Sequence, residues 1–183
     1  MADVHKVANG APLGLLGFGL TTVLLNLHNA GLLPMSIVIL SMGLAMGGFA
    51  QIIVGVMEFV AGNVFGATAF TAYGAFWWSL VIIVWNPLGA TPADGATMGW
   101  YLLLWGLFSL GMFIGTLKHA RSLQFVFGTL VLLFFGLSIA DFSGSAVVTQ
   151  VAGWIGIVCG LSAIYCTLGQ ILNHEYGKKV VPL

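Results

Sequence analysis

The chemistry this sequence offers lies in neutral polar side chains set at helical spacing within apolar stretches. Phe18, Thr22 and Asn26 recur at i, i+4 and i+8 and therefore share one broad helix face. Thr21 and His28 are seven apart and share a neighbouring face. Gln51, Gly55 and Glu58 form a second stripe, Thr68, Thr71 and Tyr73 cluster near the start of a third apolar stretch, and Ser162, Tyr165 and Gln170 stand near the end of the last. An amide, imidazole or hydroxyl in apolar surroundings needs a partner or a water-filled path. Such groups either bond helices to one another or line a route for a polar solute. At this level both roles stay open.

The segment Asn9–Gly10–Ala11–Pro12–Leu13–Gly14–Leu15 reads as a helix start with Pro12 in the first turn. Free N–H groups and the positive end of the helix dipole gather at such a start, which suits an anion. An ordinary N-cap satisfies the same groups with no ligand. Other chemistries lack their residues. There is no His-Glu-x-x-His pair for a metal and no embedded Ser with a His base. His5, His119 and His174 fall in tails or loops and are expected to be solvated. Cys159 and Cys166 are seven apart on one helix face, out of disulfide reach, and read as small core residues. No metal or cofactor is expected, and the chain is not expected to be an enzyme.

The elements that position these groups follow from composition. The 183 residues include five Lys or Arg and five Asp or Glu, so charged residues make up 5%. A soluble domain carries about 25%. Hydrophobic residues are 60%, there are 26 Gly, and mean hydropathy is +1.07. A soluble monomer, a disordered chain and a nucleic-acid binder are excluded, and an integral membrane protein with the lipid bilayer as its solvent remains. Apolar length and punctuation place spans at Pro12 to Leu27, Pro34 to Phe59, Thr68 to Asn86, Met98 to Thr116, Ser122 to Ala140 and Ser145 to Leu172. The runs are continuously apolar rather than alternating, so they are helices and not barrel strands. All five prolines lie at or beyond span edges.

Six spans place Lys6, Lys118, Arg121, Lys178 and Lys179 on one side, with Asp94 and Asp141 in loops on the other. The positive-inside rule then puts both termini in the cytoplasm. The chain is expected to be one transmembrane domain over residues 1–183, with short polar tails at 1–10 and 173–183. No Lys, Arg or Asp is expected within a span, and Glu58 closes the second helix on the cytoplasmic side, which argues against a pump built on buried carboxylates. Small-xxx-small pairs (Gly43 and Gly47, Gly111 and Gly115, Gly156 and Gly160) predict closely packed helices and oligomerisation.

The helix start resembles the Asn-Pro-Ala-Pro-Leu-Gly-Leu signature of the acetate uptake transporter family, also called the succinate–acetate permease family. The resemblance continues through Gly17–Phe18–Gly19, Leu24–Leu25–Asn26–Leu27–His28–Asn29, Gly47–Gly48 with Gln51, and Thr68–Ala69–Phe70–Thr71–Ala72–Tyr73–Gly74. It runs on through Gly115–Thr116–Leu117–Lys118, Leu123–Gln124–Phe125–Val126–Phe127, and Ala152–Gly153–Trp154–Ile155–Gly156 to Tyr165. Gly10 stands where the family usually has Pro, which loosens the segment before the helix. The resemblance implies an all-α membrane protein of six helices around a central path, assembled as a homo-hexamer in the cytoplasmic (inner) membrane, that moves acetate and also succinate. It places the family's apolar constriction on Phe18, Tyr73 and Leu130, with Ala163 as a smaller wall residue opposite. The signature residues Asn9, Ala11, Pro12, Leu13 and Gly14, together with Thr22, Asn26 and Gln51, are then expected along the substrate path.

This assignment carries one physical tension. An anion crossing lipid is expected to meet Lys or Arg, and none is available in the spans. A small carboxylate would rely on Thr22, Asn26, Tyr73 and backbone N–H groups, or cross as the neutral acid or with a proton. His28 and Glu58 are the titratable residues for carrying one. The alternatives are a channel for a small neutral solute such as urea, and a membrane protein whose aromatics and glycines serve packing alone.

Overall fold

The computed structural model describes residues 8–183; His5 and Lys6 lie outside the described residues. Among the described residues, six helices are long and apolar enough to cross a membrane. They are α1 (Ala11–Asn29), α2 (Ile37–Val60), α3 (Val64–Trp85), α4 (Gly95–Thr116), α5 (Arg121–Ser143) and α6 (Ala146–Glu175). The fold class expected from sequence is therefore observed, and the boundaries shift mainly at helix ends. α5 continues three residues past Ala140, until Gly144 takes a left-handed φ of 64° and stops it. This moves Asp141 out of the expected loop and onto the last helical turn. Asn86 ends α3 in the same left-handed way, φ 49°, immediately before Pro87.

The helices form a ring. α1 packs between α2 and α6, α2 continues to α3, and α6 continues through α5 to α4. Backbones approach closely where glycines face one another. A Cβ on Gly19 would lie 2.8 Å from the Gly160 carbonyl oxygen, and one on Gly160 would lie 2.7 Å from that of Gly19. Gly156 presses on the Asn26 amide, and Gly43 and Gly47 both meet the Trp77 indole. Apolar burial gives helices in lipid no reason to associate, so such contacts carry the packing. The Gly111 and Gly115 pair differs: Gly111 faces open space, while Gly115 stands near the Phe65 ring.

α4 meets α3 mainly through large side chains. The hydroxyls of Tyr73 and Ser109 are hydrogen-bonded at 2.9 Å, Ser79 and Tyr101 are bonded at 2.6 Å, and Phe76 stacks on Tyr101 with ring centroids 5.8 Å apart. Aromatic bulk thus spans a wide backbone separation and closes the ring.

α2 is not a uniform α-helix. Residues Gly43–Ala50 are π-helical, a wide form frequent at functional sites. The stretch contains three glycines and two alanines, and it is held from outside by Trp78, whose Nε1 donates to the Leu44 carbonyl at 3.2 Å. It delivers the Met46 carbonyl against Gly17 of α1 and ends where Gln51 begins.

Candidate functional site

Two cavities lie along the inside of the ring. The first, of about 360 Å³, is lined by Asn9 and Ala11 at the start of α1, His119 and Ala120 of the α4–α5 loop, and Gln170 near the end of α6. The second, of about 210 Å³, is lined by His28 and Asn29 at the end of α1, Met98 near the start of α4, Asp141 at the end of α5 and Thr149 of α6. They open toward opposite ends of the bundle. Three side chains line both: Phe18, Tyr73 and Leu130. These come from α1, α3 and α5, so three separate helices meet at the wall between the cavities. They are 7%, 3% and 2% exposed, and the Phe18 and Tyr73 rings lie 6.1 Å apart. The Tyr73 hydroxyl is held away by Ser109, so Tyr73 offers its ring to the wall.

The other expected path residues divide. Thr22 and Asn26 line the second cavity, and Asn9, Ala11 and Gln51 line the first. Pro12, Leu13 and Gly14 line neither. The Pro12 carbonyl accepts from Thr167 Oγ1 at 3.2 Å, Leu13 is 44% exposed, and Gly14 packs on the Phe70 ring. The N–H groups of the helix start are already used. That of Ala11 donates to Asn9 Oδ1 at 3.0 Å, and those of Leu13 and Gly14 donate to the Gly10 carbonyl at 3.0 and 3.2 Å. The start is capped within the chain and is not an open anion cradle.

Asn26 is also committed. Its Nδ2 donates to the Thr22 carbonyl at 2.8 Å and its Oδ1 accepts from Asn29 at 3.0 Å. Gln51 is half committed: Nε2 donates to the Gly47 carbonyl at 2.7 Å, while Oε1 is buried with no partner among the described residues. Ala163 is fully buried and lines neither cavity; Cys166, three residues on, lines the first together with Gln170.

The two candidates for proton carriage separate. His28 lines the second cavity, with Nδ1 3.0 Å from the Leu33 carbonyl. Glu58 lines neither cavity and accepts from Asn63 Nδ2 at 2.6 Å. Its neighbour Asn63 is the one that lines the first.

Several lining residues escape a reading by pattern. His119 is exposed in its loop, as expected, and its ring also lies against Phe65, tilted, with centroids 5.0 Å apart, at the mouth of the first cavity. The C-terminal segment folds back onto α6. Asn173 Oδ1 accepts from the N–H groups of Val180 and Val181, Tyr165 donates to the Pro182 carbonyl, and Leu183 reaches the first cavity. Asp141 had a usable signal, because Gly144 marks the helix end three residues beyond it. No Lys or Arg among the described residues lines either cavity.

A path of two vestibules and one apolar wall, without fixed positive charge, can be compared with known proteins. The model of the GPR1/FUN34/yaaH family matches residues 1–182. The chain belongs to this family. Among curated relatives, the succinate-acetate/proton symporter SatP of Escherichia coli K12 is 54% identical over 180 residues, covering 97% of this chain and 96% of that one. Acetate permease A of Emericella nidulans is 30% identical over 200 residues, covering 99% of this chain and 67% of that one. A solved structure described as the bacterial acetate channel SatP superposes with a TM-score of 0.96 at 52% identity, covering 97% of this chain and 99% of that one. These three are named for acetate, and the urea alternative finds no support in them.

Proposed function

We propose that this chain is a permease that moves acetate, and also succinate, across the cytoplasmic membrane, with Phe18, Tyr73 and Leu130 as its constriction. The observation that carries this is the wall of three apolar side chains shared by two cavities that open to opposite ends of one six-helix ring. Similarity over nearly the whole chain to a succinate-acetate/proton symporter and to an acetate channel supports the substrate class.

The geometry supports a weakly binding path. A carboxylate entering either cavity meets hydroxyls, amides and ring edges rather than a cation. Sites of that kind release as readily as they bind, which favours throughput. At the wall the solute passes between aromatic and aliphatic surfaces that offer no hydrogen bond, so a small acid with one carboxyl group crosses at least cost. His28 is the residue placed to carry a coupled proton, since Glu58 lies off both cavities.

Orientation follows from charge. Lys118, Arg121, Lys178 and Lys179 all belong to the end of the bundle that bears the first cavity, which supports a cytoplasmic first cavity and cytoplasmic termini. Exposed apolar side chains such as Val64 at 77%, Val60 at 71% and Leu104 at 65% offer surface for lipid and for neighbouring protomers of a homo-hexamer. Uptake of radiolabelled acetate into proteoliposomes tests the function. Saturable uptake reduced by unlabelled acetate is expected; no uptake above empty vesicles refutes it.

A further inference from the structure

Asp141 has no structural reason to be where it is. It stands on the last turn of α5, where a carboxylate faces the negative end of the helix dipole. It makes no hydrogen bond or ion pair among the described residues, whose one ion pair is between His174 and Glu175. It is half-buried and lines the second cavity. The titratable side chains lining that cavity are Tyr73, His28 and Asp141. From α4, Asp94 stands beside Gly95, which packs on the Asp141 backbone, but the Asp94 carboxylate is exposed and accepts from the Thr97 N–H at 2.7 Å. From α6, Thr149 is neutral and its hydroxyl donates to the Ser145 carbonyl at 3.2 Å. Among the described residues, the one fixed negative charge in the vestibule of a carboxylate path therefore belongs to Asp141, and no Lys or Arg lining it offsets that charge.

We infer that Asp141 sets the charge selection of this path, disfavouring dicarboxylate dianions relative to monocarboxylates at the vestibule remote from the basic residues. The inference rests on the permease reading and deepens it. A carboxylate in a partly solvated vestibule repels a solute in proportion to the solute's charge. At separations near 10 Å and an intermediate dielectric this amounts to about three- to tenfold in occupancy per unit of solute charge. Acetate carries one unit and fully ionised succinate two, so the discrimination between them is one such factor. It vanishes when Asp141 is protonated and weakens when salt screens it.

The test uses the full chain in proteoliposomes and measures acetate and succinate uptake in parallel. Asp141→Asn, which preserves shape, is expected to raise the succinate-to-acetate uptake ratio about three- to tenfold at neutral pH. The ratios of variant and unsubstituted protein should converge as the pH falls into the carboxylate range. Asp141→Glu should keep the unsubstituted ratio, and Glu175→Gln, an exposed acid that lines neither cavity, controls for net charge. A measurement without substitution stands beside these: raising the salt concentration at neutral pH should raise the ratio in the unsubstituted protein but not in Asp141→Asn. An unchanged ratio in an Asn variant that still takes up acetate overturns the inference. So does an unsubstituted protein whose ratio ignores salt. Absence of acetate uptake by the unsubstituted protein overturns the permease reading itself, and this inference with it.

Discussion

Leu130→Ala tests the constriction most directly, because Leu130 is the one purely aliphatic member of the wall and borders both cavities. The substitution removes three carbons from a side chain that is 2% exposed. In a closed core, Leu→Ala costs about 2–5 kcal/mol. Here open space already lies on two sides, so little new void is created and the low end, about 2 kcal/mol, is expected. The functional effect runs the other way. The first cavity of about 360 Å³ and the second of about 210 Å³ become continuous on the α5 side. One methylene of steric allowance in an apolar site is worth about 1–3 kcal/mol of discrimination, or 10–200-fold. Lactate, a carbon and a hydroxyl larger than acetate, should therefore gain at least about tenfold in uptake relative to acetate. The assay is competitive uptake of the two labelled acids into proteoliposomes, with a thermal melt to confirm folding. A folded Leu130→Ala protein with an unchanged lactate-to-acetate ratio refutes the assignment.

Phe18→Ala should relax selection in the same direction, because its ring faces Tyr73 across the wall; competitive uptake of the same two acids reads it. Ser109→Ala leaves the Tyr73 hydroxyl buried without its partner and should lower stability by about 1–3 kcal/mol. Adding Tyr73→Phe should recover part of that loss in a melt, since both polar groups are then gone. His28→Gln is expected to reduce acetate-driven acidification of the vesicle interior more than Glu58→Gln does, and equal effects would count against His28 as carrier. The Asp94 carboxyl is held below the usual carboxylate range by hydrogen bonds from Thr97. Its folded-state value is depressed, so its stabilisation is present above the ordinary carboxylate range and lost as the pH falls through the lower folded value. The melting difference between Asp94→Ala and the unsubstituted protein should accordingly be present at neutral pH and close on strong acidification.

Composition and punctuation were enough for class and span count. A chain with 5% charged residues cannot make a soluble surface, and the apolar runs are bounded mostly by Pro, Gly or Asn, whose backbone preferences are local, and between the fourth and fifth by Lys118, His119 and Arg121. The same locality explains why α1 and α3 were legible as elements. The shared wall was named by resemblance alone. Phe18, Tyr73 and Leu130 are far apart in the chain and chemically ordinary, and nothing in their spacing distinguishes them from packing residues.

The tertiary structure decided which polar groups are spent and which are free. Asn26 and Glu58 look alike in sequence as polar residues in apolar stretches, and both are buried. Asn26 nevertheless lines a cavity while Glu58 is set aside with Asn63. Ala163 and Cys166 share a helix and differ by less than a turn, yet only Cys166 reaches the path. Asp141 and His119 were both expected in loops; the structure moves Asp141 onto a helical turn and keeps His119 in its loop beside an aromatic ring, both on a cavity. The physical reason is common to all of these. Whether a side chain meets solute, lipid or another helix depends on the rotation of its helix about its own axis, and that rotation is set by close glycine contacts such as Gly19 with Gly160, made between residues more than a hundred positions apart. Hydropathy reports that a residue is in the membrane, and only the packing of the ring says which way it faces.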